Sequence, residues 1–117
     1  FERVIPRSFS KSFIVNSSSS VTEFKSMLSR QNVRNYCKLS LVASEADSLN
    51  SFSNIKVPIL MVVGSDDPSV TVEKSVEYAK KNNCPIEVIR NAGHNIPLEK
   101  PEELSQIIHR FYLNIKI

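Results

Sequence analysis

Two short stretches of the chain hold the side chains best placed to exchange a proton: GSDDPSV at residues 64–70 and NAGHN at residues 91–95. Each follows an apolar run and precedes a helical pattern, so each reads as a loop leaving the carboxyl end of a strand. In an open parallel sheet, ligands and reactive groups collect along that edge. Neighbouring strands lie about 5 Å apart, close enough for Asp66 or Asp67 on one loop to reach His94 on the next. A carboxylate that accepts from Nδ1–H fixes the imidazole tautomer and leaves Nε2 free to take a proton from a hydroxyl or thiol. Plainer readings stand beside this one. Either aspartate could cap the helix expected from near Ser69, and His94 could be an ordinary loop histidine. His109 falls on the polar side of the last helical pattern and reads as solvated.

The rest of the composition narrows the chemistry. A length of 117 residues suits one domain, and 41% apolar content is enough for a core. The net charge of +3 comes from 15 basic and 12 acidic residues. The basic residues are scattered rather than gathered into a stripe with aromatics, which argues against nucleic-acid binding. No apolar run approaches the roughly 20 residues that a membrane span needs. No His, Cys or acid cluster has metal-ligand spacing. Gly64 and Gly93 are the only glycines, so no G-x-G-x-x-G, P-loop or G-x-S-x-G can be written. Neither a metal nor a cofactor is expected. Cys37 and Cys84 read as two buried thiols in a reducing compartment, hence a cytoplasmic location. The opening FERVIPRSF has neither an initiator Met nor a signal-peptide pattern, and is expected to be an interior point of a longer gene product.

Several elements must position the two loops. IKVPILMVVG, residues 55–64, is apolar throughout and suits a central parallel strand covered on both faces. Residues 69–83 follow as a helix with Val72, Val76 and Ala79 inward. PIEVIR is a second strand, and residues 101–113 form a helix with Leu104, Ile107, Ile108 and Phe111 on its apolar face. Strand, helix, strand, helix implies a parallel αβ layout. Two strands alone leave backbone and apolar faces unpartnered, so this half reads as the edge of a larger sheet. Upstream, residues 1–20 are poor in periodicity and read as a loop or mobile segment. Residues 21–50 read as a small helical lid. Ser20 would cap its first helix in a box with Glu23, with Phe24, Met27 and Leu28 on one face. Its second helix would follow an Asn32 cap and turn Val33, Tyr36, Cys37 and Leu41 inward.

VPILMVVGSDDPSV followed by VIRNAGHNIPLEKPEELSQIIHRFY resembles the C-terminal third of an α/β-hydrolase. Residues 55–113 match that family's order: Val-Pro, an apolar strand, G-x-x-D, a Pro turn, a helix, a strand, A-G-H and a closing amphipathic helix. The resemblance implies a fold class of α/β: the C-terminal part of the hydrolase core over residues 51–117, a parallel sheet edge with flanking helices, preceded by the lid. It also implies that Asp67 is the acid and His94 the base of a Ser–His–Asp triad, with Glu99 in a structural role and Asp66 a turn acid. Residues 24–50 are similar to the cap-to-core return of small esterases such as enol-lactone hydrolases, through Met27-Leu28, Tyr36 and EADSL.

The resemblance breaks at the nucleophile. The family's nucleophile sits on a glycine-flanked strand-to-helix elbow whose amides also help form the oxyanion hole. None of the serines at 8, 10, 12 or 17–20 has those flanks. Three accounts follow. The chain contributes the acid and histidine of a carboxylic-ester or lactone hydrolase, with the nucleophile outside it. Alternatively, it is an inactive truncated paralogue that acts as a binding module. A third account is an acyltransferase or lyase on the same scaffold. The first implies a small apolar ester-like substrate and a need for the upstream fold or a complementing chain.

Overall fold

The computed structural model describes residues 2–45 and 54–115. Four helices come first: α1 (Ile5–Ser8), α2 (Lys11–Asn16), α3 (Ser18–Ser29) and α4 (Val33–Glu45). Then come β1 (Met61–Gly64), α5 (Val72–Lys81), β2 (Ile86–Ile89), α6 (Ile96–Glu99) and α7 (Pro101–Asn114). The result is a helix-rich domain with a small, unclosed sheet flanked by helices. It is loosely consistent with part of an α/β fold.

β1 and β2 pair in parallel, with Met61 opposite Ile86 and Gly64 opposite Ile89. Parallel neighbours require a crossover, and α5 supplies it. Thr71 caps α5 by accepting from the Lys74 amide, and Lys80 and Lys81 lie in its last turn, where the helix dipole favours cations. The helix starts at Val72, later than the expected Ser69, because the preceding residues form the acid loop. One core gathers Ile89, Ala92, Ile96 and Ile107, with Leu60, Val62 and Leu104 packed against it. Ile107 is the buried residue of α7, whereas Ile108 is exposed.

The strand expected from Ile55 is regular only from Met61, and Ile55 and Val57 are exposed. β1 is half-buried rather than covered on both faces, since among the described residues its sheet has just two strands.

The N-terminal residues, expected to be loop or mobile, are instead largely helical. Ser10 caps α2 by accepting from the Phe13 amide. Ile5, Phe9 and Val21 form a second core, with Phe13, Ile14 and Phe24 against it. Phe9 stacks on Phe13 at 5.1 Å between centroids and meets Phe24 edge-on at 5.0 Å. The serines that suggested a loop are compatible with caps and with solvent-facing helix positions.

Three further expectations differ. α3 begins at Ser18, so Ser20 and Glu23 lie inside the helix rather than forming a capping box. Asn32 does accept from the Asn35 amide at the start of α4, but Val33, Tyr36, Cys37 and Leu41 are exposed rather than inward. Both cysteines are free, and only Cys84 is partly buried. Apart from Glu45, the EADSL segment lies outside the described residues.

Candidate functional site

β1 ends at Gly64, where a side chain would collide with the backbone oxygens of Ala92 and Gly93. Glycine is required there because the two loops touch. The Asp66 amide donates to Ala92 O at 2.8 Å, and the Asn91 amide donates to Ser65 Oγ at 2.9 Å. Ser65 Oγ in turn donates to Asp66 Oδ1 at 2.6 Å. Asp66 is thus a turn acid. Asn91 has φ 53°, a left-handed conformation that Asn tolerates better than most residues.

Asp67 points the other way. Its Oδ1 accepts from the amides of Ser69 at 2.7 Å and Val70 at 3.0 Å. Its Oδ2 lies 2.8 Å from His94 Nδ1. An ionised carboxylate only accepts, so Nδ1 carries the proton. The helix cap that either aspartate could have supplied is Thr71 instead; one Asp67 oxygen holds the turn before it and the other meets the imidazole.

The Asp67 side chain is 8% exposed and the His94 side chain 52%. The acid is withdrawn while the ring reaches solvent. Burial raises the Asp67 pKa, but the hydrogen bonds from His94 and from the Ser69 and Val70 amides, together with the His94 charge, more than offset it. The net direction is down. Among the described residues, the one hydrogen bond of His94 is through Nδ1, leaving Nε2 open.

The N-terminal segment closes over the same loops. Asn95 donates to Ser8 O from its amide at 2.9 Å and from Nδ2 at 3.1 Å, and Ser69 Oγ donates to Arg7 O at 3.1 Å. Both Glu99 oxygens lie 3.2 Å from the Ser10 amide, and Ser10 Oγ donates to Oε2 at 2.5 Å. A side chain at Gly93 would strike Ser10 N, Phe9 C and Glu99 Oε1. Gly93 is needed for closeness, since it has no positive φ.

Ser8, Ser10 and Asn95 were not legible as part of this site. The available signal was Ser10 in a cap position with Phe13 and Ile14 following on one face. A cavity of about 280 Å³ lined by Pro6, Phe9, Lys11, Ile14, Asp66 and Pro68 lies beside the acid loop. Among the described residues, no group of three or more His, Cys, Asp or Glu could hold a metal ion, and no helix is long and apolar enough to cross a membrane.

A small parallel αβ unit that joins a carboxylate and an imidazole across its strand-end loops is an arrangement that hydrolases use. The comparison with known proteins points the same way. The chain is 31% identical over 85 residues to monoacylglycerol lipase ABHD6 of Homo sapiens, a match spanning 68% of this chain and 25% of that enzyme. This is a weak, partial homology to an α/β-hydrolase-family enzyme. The chain matches about a quarter of the length of that relative. No protein-family model matches the chain.

Proposed function

We propose that Asp67 and His94 are the acid and base of a Ser–His–Asp triad in a carboxylic-ester or lactone hydrolase whose nucleophile lies outside residues 1–117. The observation that carries this reading is the 2.8 Å contact from Asp67 Oδ2 to His94 Nδ1, with Nε2 open. In that role Asp67 holds the ring and stabilises the imidazolium. His94 Nε2 takes the proton of the attacking hydroxyl and later returns it to the leaving alcohol. The lipase named above acts on monoacylglycerols by its name, which favours an apolar acyl group here.

Ser10 is not the missing nucleophile. Its hydroxyl is bound to Glu99, and its φ of −64° and ψ of 152° are ordinary extended backbone rather than a strained elbow. Among the described residues no hydroxyl or thiol bonds to His94 Nε2, which favours a second reading, a binding module without turnover.

The two readings separate in one experiment. A short p-nitrophenyl ester is assayed with the 117-residue chain, and again with the intact gene product from the same source. The chain alone is expected to match buffer. The intact product is expected to turn over, and Asp67→Asn is expected to lower its kcat by about 10⁴-fold. An intact product as inactive as the chain would sink the hydrolase reading. Adding alcohol or amine acceptors to the same assay distinguishes transfer from hydrolysis.

A further inference from the structure

The loops bearing Asp67 and His94 are tied to each other directly on the strand side, through Asp66 N to Ala92 O and Asn91 N to Ser65 Oγ. Beyond the two side chains the tie is of another kind. Ser69 on the acid loop, and Asn95 and Glu99 after the histidine, all bond to one short piece of backbone, residues 7–10. We propose that this segment is a strap that positions the Asp67–His94 pair, with Glu99 as the positioning residue that fastens it.

Its anchorage is independent of the loops. Phe9 is 1% exposed and lies between Phe13 and Phe24 in the second core. The strap is therefore held by helices on one side and hydrogen-bonds to both loops on the other. Glu99 is the strongest fastening, because an ionised acceptor makes hydrogen bonds roughly twice as strong as neutral ones. It receives both the amide and the hydroxyl of Ser10. Gly93, the residue before His94, lets the strap approach that closely.

If Glu99 is lost, the Ser10 amide loses its acceptor and the loop beyond His94 keeps only the Asn95–Ser8 contacts. The imidazole is then free to swing from Asp67 Oδ2. This role rests on the proposed function only in giving the pair a task. The pairing can be read without turnover.

The test is mass-spectrometric measurement of histidine C2–H exchange against pH, on the full 117-residue chain at low concentration. His94 reports the pair, and His109 on the exposed side of α7 serves as internal reference. Asp67→Asn defines the profile of an unpaired His94. Glu99→Ala is expected to move the His94 profile most of the way to that of Asp67→Asn, with His109 unmoved. Glu99→Gln, which keeps an acceptor for the Ser10 amide, is expected to restore most of the wild-type profile. Ser10→Ala, which keeps the amide but not the hydroxyl, is expected to fall between.

A wild-type His94 profile in Glu99→Ala, with Asp67→Asn displaced, overturns the strap and leaves the pair standing. Wild-type, Asp67→Asn and Glu99→Ala profiles that all coincide also overturn the strap, because neither change then reaches the imidazole. Displacement of His109 in both Glu99→Ala and Ser10→Ala makes Glu99 a residue of general stability and also overturns the positioning role.

Discussion

Asp67 is asked to be an ion in a partly buried place. Its side chain is 8% exposed, and three donors, two backbone amides and His94 Nδ1–H, replace the lost hydration. Its folded pKa lies below the ordinary 3.8, so between the two values the unfolded chain binds more protons than the folded one. Stability from this carboxylate is therefore fully present above about pH 4 and is lost as pH falls through the lower, folded value. Urea melts of the wild type and Asp67→Asn should thus differ most at neutral pH and converge in acid below pH 4. A gap that stays constant with pH would mean that the ionised carboxylate stabilises nothing. Asp66, one residue earlier, is fed by a neighbouring serine and touches no imidazole. Adjacent acids on one turn differ in role because the chain reverses there.

At the scale of elements, the approach of two loops sets the geometry. β1 and β2 end level, and the amide of Asp66 meets the carbonyl of Ala92 just past their ends. Gly64 makes this possible, because any Cβ would displace backbone rather than a pliant side chain. Gly64→Ala should lower stability by about 1–3 kcal/mol, seen as a lower urea midpoint with an unchanged slope. A neutral result would mean that the loops separate without cost. The N-terminal helices pack on each other through an aromatic trio and bond outward through residues 7–10. The two cores are distinct clusters, and hydrogen bonds from residues 7–10 reach the loops beside the first.

For the whole molecule, surface area is the telling quantity. The chain exposes 9159 Å² at 13.2 kDa, against about 6,400 Å² for a compact monomer of that mass. Its radius of gyration is 16.0 Å, where about 13 Å is usual for this length. The excess includes Val33, Tyr36, Leu39, Leu41 and Val42 on α4, and Val88 on β2. Exposed apolar faces and sheet edges promote association. Light scattering after size exclusion should therefore find species heavier than 13.2 kDa whose share grows with concentration. A monodisperse monomer with a cooperative melt would show that the chain is self-sufficient.

The sequence by itself determined the parallel αβ layout, the two strand-end loops, and the residue types that meet there. Those follow from local periodicity, from glycine and proline punctuation, and from the rule that a crossover returns the chain to the same sheet edge. The local pattern left open which aspartate faces His94, since both sit on one turn. The likeness to α/β-hydrolases pointed to Asp67, and the tertiary structure brings its Oδ2 to His94 Nδ1, because the answer depends on where a second strand carries Asn91 and Ala92. The helical state of α1 and α2 was hidden for a related reason. Their few apolar residues form too short a pattern to read alone, and they become a core only when Val21 and Phe24 arrive from α3. The inward face assigned to α4 failed conversely: periodicity shows that a helix has an apolar side, but packing depends on a neighbour that no local pattern supplies. The bonds from Ser8 and Ser10 to Asn95 and Glu99 span more than eighty positions in the chain. Contacts at that range leave no trace in spacing, and they hold His94 where it is.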